Sequence, residues 1–258
     1  DRTVAVNRTQ IWSFSGSAWV NRTNTALVGS TTDEPRFCVF PEGTPIVYNL
    51  LICNNQVADQ VWDGAAATCS DLGGSPPVFA DMKVLGNRVL GLVRPCTVRI
   101  SGYNTSSSWP AGNVIILADS GDIMIGMERV NRTTVAVYGD SSQWILRSTQ
   151  GSFPVRPEWV SDFPGPISAR CIVKFGDKNY WLAEDGNVYS FDGVQTLPVG
   201  YAMKRFVLDN LNYPNRAMSH GTFKSKFEVI EWWFPSATAS APDLGIFYNV
   251  RTGEMGRL

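Results

Sequence analysis

The side chains able to carry chemistry in this chain are few, and most are acids. A single histidine, His220, stands in Met218-Ser219-His220-Gly221. A Ser/His/Asp nucleophilic arrangement would have to use it, and no glycine-flanked serine of the nucleophile-elbow type accompanies it. His220 therefore reads as an ordinary turn or strand-end residue. The five cysteines (Cys38, Cys53, Cys69, Cys96 and Cys171) form no CxxC or CxxH pair. Reduced core thiols are the expected state, with a Cys53–Cys69 disulfide as the alternative. One histidine among scattered cysteines makes no zinc set. Neither GxGxxG nor GxxxxGK[ST] occurs, so no metal and no cofactor are expected.

Two carboxylates flanking a bond could hydrolyse a glycoside. The candidates are Glu184-Asp185, Asp119 with Asp122, Asp209, Glu228 and Glu231. Glu184-Asp185-Gly186-Asn187 and Asp119-Ser120-Gly121-Asp122 read more simply as hairpin turns, where Asp and Gly satisfy local backbone. Glu231-Trp232-Trp233 looks more like a sugar subsite, an acid beside aromatic platforms. Alternation puts Glu231 and Trp233 on one strand face and Trp232 on the other. The plainer reading packs one tryptophan between sheets and leaves Glu231 at a wet edge. A carbohydrate-binding or glycoside-hydrolysing surface is the alternative. Trp109, within Ser106-Ser107-Ser108-Trp109-Pro110, is expected to be exposed on a polar loop and to anchor an interface. Four N-x-S/T sequons occur, at Asn7, Asn21, Asn104 and Asn131, and three of them share Val-Asn-Arg-Thr. They are read as turn chemistry.

The elements that position these residues are strands. Apolar runs of strand length recur throughout, among them Thr3–Val6, Val89–Val93, Val135–Tyr138, Gln143–Leu146, Val188–Phe191 and Gly245–Tyr248, punctuated by Gly, Asn, Asp and Pro. One helix is admitted, at Asn55–Ala67, with an irregular loop as the alternative. Of 258 residues 44% are hydrophobic and 17% charged, which excludes disorder and coiled coil. The formal net charge of -1 argues against a large electropositive nucleic-acid footprint. No apolar run is long enough to span a membrane. The chain opens on Asp1 with no basic-then-apolar segment, which implies processing or a boundary within a longer protein.

A repeat organises the strands. Gly86-Asn87-Arg88-Val89-Leu90 and Gly176-Asp177-Lys178-Asn179-Tyr180 are both a polar turn followed by a strand, with Asn131-Arg132-Thr133-Thr134-Val135 midway between them. A step of 45 from Gly176 reaches Gly221, and a step of 43 back from Gly86 reaches Gly43. The chain start, Thr3-Val4-Ala5-Val6 with Trp12, echoes Thr134-Val135-Ala136-Val137 with Trp144. A period of about 43–45 residues with room for four short strands is the dimension of a propeller blade. The expectation is an all-β single domain over residues 1–258, a β-propeller of six four-stranded blades, five or seven being tolerable. Paired β-sandwiches are the competing fold.

Several of these stretches resemble one group, the β-propeller structural proteins of tailed-bacteriophage tails. They are Gly86-Asn87-Arg88-Val89-Leu90 leading through Val98-Arg99-Ile100-Ser101 to Trp109, and Val137-Tyr138-Gly139-Asp140-Ser141-Ser142-Gln143-Trp144-Ile145-Leu146. To these add Tyr180-Trp181-Leu182-Ala183-Glu184-Asp185-Gly186-Asn187-Val188-Tyr189-Ser190-Phe191-Asp192-Gly193, and the closing Glu228 to Phe234 with Leu244 to Asn249. The resemblance covers roughly residues 82–258. That group's final strand usually ends in a tryptophan, which Arg251 to Gly256 lacks. The resemblance implies a non-enzymatic virion component of the hub, stopper or nozzle kind, contributing to assembly and to the genome-delivery conduit. It implies portal, adaptor and other tail proteins as partners, often around a homo-oligomeric ring. Neither sequence-specific nucleic-acid recognition nor stable membrane insertion is expected of it.

Overall fold

A computed structural model describes the chain except residues 1–2, 8, 29–34, 118–120 and 150–152. Its contacts divide it into two units, residues 1–119 with 150–154, and residues 120–149 with 155–258. The first unit holds three sheets. β1 (Val4–Val6), β2 (Ile11–Phe14) and β3 (Trp19–Asn21) form the first. β4 (Arg36–Glu42), β5 (Val47–Cys53), β6 (Gln60–Trp62) and β7 (Ser70–Asp71) form the second. β8 (Asp81–Leu85), β9 (Arg88–Val93), β10 (Thr97–Ile100) and β11 (Val114–Ile116) form the third.

The second unit holds three more. Its sheets are β12 (Met124–Asn131), β13 (Thr134–Gly139), β14 (Gln143–Ser148) and β15 (Val155–Ser161); β16 (Val173–Phe175), β17 (Lys178–Leu182), β18 (Val188–Phe191) and β19 (Thr196–Gly200); and, after one helix, β20 (His220–Lys224), β21 (Val229–Phe234), β22 (Leu244–Asn249) and β23 (Met255–Arg257). Every sheet is an antiparallel meander in which sequence neighbours are also sheet neighbours. Six such sheets in succession make this an all-β, six-bladed β-propeller. The repeat is less regular than its sequence echo. First strands of the four-stranded sheets begin at Arg36, Asp81, Met124, Val173 and His220, a spacing of 43–49 residues.

The expected turns lie between first and second strands at Gly43, Gly86, Asn131 and Gly176. Gly86 and Gly176 have φ of 58° and 59°, left-handed values that glycine adopts without a Cβ penalty. Gly221 departs from the pattern. It lies on β20, where a Cβ would meet Val173 at 2.5 Å and the Trp232 indole at 2.9 Å, so close packing, not a turn, calls for glycine there.

The asparagines of the three Asn-Arg-Thr triplets share one side-chain device. The Asn131 Oδ1 accepts the Thr133 backbone N–H at 3.0 Å and its hydroxyl at 3.1 Å. Asn7 does the same for Thr9 and Asn21 for Thr23. The asparagine thus replaces a backbone acceptor at each bend. Replacing Asn131 with alanine should lower stability by about 1 kcal/mol, the worth of such a bond; chemical denaturation would measure it.

Sheets within each unit pack face to face. In the first unit Ile11 meets Ile52 and Trp62, while Phe40 and Leu51 meet Phe79 and Met82. In the second, Tyr138 packs on Trp181 with ring centroids 4.9 Å apart, and Phe175 on Phe223 at 4.5 Å. The buried Trp232 donates its indole N–H to the Cys171 carbonyl at 2.8 Å, so its one polar atom is satisfied.

Three local expectations are corrected. No helix forms over Asn55–Ala67. Asn54 Oδ1 captures the N–H groups of Gln56 and Val57, and Asp63 Oδ1 those of Ala65 and Ala66, so side chains take the donors a helix would use. The segment instead makes β6 between two such turns. A helix does form at α1 (Lys204–Asn210), too short for a 3.6-residue period to be read, with Val207 and Leu211 buried. Lastly, closure of the ring expected from the repeat predicts that Thr3–Val6 pairs with the final sheet near Ile246–Asn249. β1 pairs with β2, and β22 is taken on both edges by β21 and β23.

Candidate functional site

Trp109 is not an exposed anchor. It is 8% exposed and lies in the core beside Phe40, Met82 and Phe79, its ring centroid 4.8 Å from that of Phe79. Its indole N–H donates to the Ser106 carbonyl at 3.0 Å. The cause is Glu42, at the end of β4. Its Oε2 accepts the Ser106 hydroxyl at 2.6 Å and the Ser106 N–H at 3.2 Å. Burial pushes the Glu42 carboxyl up, but hydrogen bonds from Ser106, Thr105 and Asn49 outweigh it and hold its pKa below the usual carboxylate value. This charged clasp folds the serine-rich loop inward and carries Trp109 with it.

On β21 the alternation is as read. Trp232 is fully buried, and Glu231 and Trp233 share the opposite, partly exposed face. The Trp233 indole N–H donates to Glu231 Oε2 at 3.3 Å, and Lys224 Nζ lies 3.8 Å from the same oxygen. Residues directly across from Glu231 are Thr222 and Phe247. A Cβ on Gly245 would sit 3.1 Å from the Trp233 ring, so that indole lies against backbone. The structure therefore brings Glu231 and Trp233 together and turns Trp232 into the core.

The other acids are engaged locally. Glu184 pairs with Arg216 at 2.9 Å, Glu228 with Arg251 at 2.6 Å and Asp209 with Arg205 at 3.4 Å. Asp185 accepts the Tyr189 hydroxyl at 2.9 Å and the Asn187 N–H at 3.1 Å, closing the β17–β18 turn. Asp122 accepts from the Ser141 N–H and the Ser142 hydroxyl; Asp119 and Ser120 lie outside the described residues. His220 begins β20, a strand-end position. Cys53 and Cys69 are buried thiols and do not form the alternative disulfide; burial pushes both thiol pKa values up. Among the described residues no three His, Cys, Asp or Glu side chains are grouped to hold a metal ion. No described helix is long and apolar enough to cross a membrane.

Sequence reading missed a feature of the first unit. Val4, Phe37, Val39, Tyr48, Leu50 and Trp62 line a groove of about 830 Å³, together with Asp63. Phe37 is 57% exposed and Tyr48 66%. Large apolar side chains clustered at that exposure are characteristic of interaction surfaces and ligand-binding grooves. The signal was present in Arg36-Phe37-Cys38-Val39-Phe40, a strand apolar on both faces, which implies cover on both sides.

The antiparallel blades define the class of fold, a β-propeller. No protein-family model and no curated protein matches the sequence. Among solved structures, one described as a novel fungal alcohol oxidase of the AA5 family in complex with copper aligns over 99% of this chain and 50% of its own, at 12% identity and a TM-score of 0.46. BamB from Moraxella catarrhalis aligns over 100% of this chain and 85% of its own, at 12% identity and a TM-score of 0.42. The chain thus spans half the length of the oxidase. The fold assignment rests on strand pairing within the chain itself.

Proposed function

We propose that this protein is a non-catalytic propeller subunit of a tailed-bacteriophage tail, of the hub, stopper or nozzle kind. It would work by docking to portal, adaptor or other tail proteins around a ring, beside the path of the genome. The observation that carries the reading is the apolar groove of the first unit, a surface suited to a protein neighbour. The near-zero net charge and the resemblance of the blade motifs to those of such tail proteins support it. The local engagement of Glu184, Asp185, Asp209, Glu228 and Glu231 gives each acid a structural role. Reconstruction of purified particles should show the polypeptide in the tail with the groove residues covered. Finding it only as a free monomer, absent from particles, would overturn the reading.

A hydrolase panel with a glycan array tests the enzymatic rival. The expected result is no turnover by either the unaltered chain or Glu231→Gln. Reproducible hydrolysis that disappears in Glu231→Gln would make Glu231 a catalytic acid and displace the structural reading.

A further inference from the structure

The last strand of a meander keeps a free edge, a row of backbone N–H and C=O groups able to pair with any extended chain that meets it. In the first unit the last strands β3, β7 and β11 are three, two and three residues long, too short to template another. In the second unit β15 has seven residues and β19 five. Among the described residues β15 pairs only with β14, and β19 only with β18. Both carry apolar side chains in the open, Trp159 at 55% exposure on β15 and Leu197 at 48% on β19. Each also contains one proline, Pro157 and Pro198.

The hydrogen-bond ladder fixes which way those prolines face. The Ser148 N–H donates to the Thr133 carbonyl at 3.0 Å, which makes Ser148, Leu146 and Trp144 the residues bonded to β13. Antiparallel pairing alternates, so Arg147 and Ile145 bond to the other side, to Arg156 and Glu158 of β15. The backbone of Pro157 and Trp159 therefore points away from the sheet. On β18 the Ala183 N–H donates to the Asn187 carbonyl at 2.9 Å. The same alternation turns Tyr189 and Phe191 toward β17, and Ser190 toward Leu197 of β19. Thr196 and Pro198 face outward. Both prolines thus stand where any other residue would offer an N–H to a newcomer. Pro157 is exposed, so packing does not call for it.

We propose that Pro157 and Pro198 determine how copies of this chain can meet: they close the outer edges of β15 and β19, so that a second copy cannot continue these sheets. A second copy is the strand to be refused, because β15 is complementary to itself. Two β15 edges meeting antiparallel about a two-fold axis at residue 157 would pair position 155 with 159 and set one Pro157 opposite the other. The central pair would lose both of its bonds. A missing donor also refuses a strand from any other source, including another part of the same chain. Contacts with neighbours are left to side chains and turns. The inference goes beyond the tail reading and does not depend on it.

Pro157→Val and Pro198→Val, singly and together, restore the donor with a residue that suits a strand. Analytical ultracentrifugation should show the double variant self-associating at concentrations about tenfold or more below those the unaltered chain requires, with strand circular dichroism retained. In the associated species the residue-157 amide should exchange hydrogen about tenfold or more slowly than in the dilute monomer, as a bond between copies requires. Variants that associate no further than the unaltered chain would overturn the proposal. So would association that leaves the residue-157 amide unprotected, or an unaltered chain that already protects its Trp159 amide by self-association. If one single variant loses its strand signal, the other carries the test. Loss in both would show that the prolines serve the fold itself, and would equally overturn it. Absence of the protein from virions would sink the tail reading and leave this result untouched.

Discussion

Trp109→Ala should destabilise the protein by roughly 3–5 kcal/mol, the usual cost of deleting a buried tryptophan. The indole is packed on Phe79 and against Phe40 and Met82, so its loss leaves a cavity among large side chains that cannot close over it. Denaturant titration would measure the change as a shift in midpoint. A role at an interface predicts the opposite pattern, with folding preserved and assembly weakened. An unchanged midpoint would therefore return Trp109 to the surface. Glu42→Gln is the companion variant. It keeps the shape but removes the charge that holds Ser106, and about 1.5–3 kcal/mol is expected for bonds to a charged acceptor.

Asp59 should make stability fall as pH rises. Its carboxyl is buried, with Oδ2 lacking a hydrogen-bond partner and Oδ1 accepting only a long bond, 3.4 Å, from the Phe79 N–H. Burial pushes its pKa up to about 8, against 3.8 ordinarily, with the Phe79 bond opposing in part. Below about pH 4 both folded and unfolded chains hold the proton, and the group costs nothing through linkage. Between about pH 4 and pH 8 the unfolded chain ionises while the folded one keeps its proton, so stability declines. Above about pH 8 both are ionised and the loss is constant. At about 1.4 kcal/mol per unit, the accumulated loss is on the order of 5 kcal/mol. Asp59→Asn should flatten the stability–pH curve across that window. The two proteins should be closest near pH 4, with the variant the more stable at pH 8. A variant curve parallel to the parent's would show that Asp59 is not the source. Cys53 and Asp81 lie in the same field; the Cys53 thiol is pushed up by burial and by both carboxylates.

What could be read from the chain was what is local. The Gly86 and Gly176 turns, the alternation of Glu231, Trp232 and Trp233, and the Asn-Arg-Thr bends each depend on residues within a few positions of one another. Six blades followed from repeating that local pattern. Trp109 was misplaced because the bond that folds its loop joins residues 64 apart, and nothing in Ser106-Ser107-Ser108 announces Glu42. Nothing in the sequence singles out Asp59 or Asp81, since their burial is a property of the stacked sheets and not of the strand. α1 escaped notice at seven residues, fewer than two full turns. The groove was missed for a related reason. A strand apolar on both faces shows that cover is needed, but only the pairing of the finished sheets shows which face has none.

The meander topology has a consequence for how the chain acquires its structure. Each strand pairs with the one just made, so every loop closed within a sheet is a hairpin or a short connection. Loop-closure entropy then stays that of a local contact, unlike Greek-key proteins of the same length. A ribosome releasing this polypeptide from its amino end can complete one blade before the next has been translated. Each finished blade offers an apolar face as a template for its successor, in the manner of repeat proteins that grow by addition to an existing end. Synthesis and folding can therefore advance together, one blade at a time.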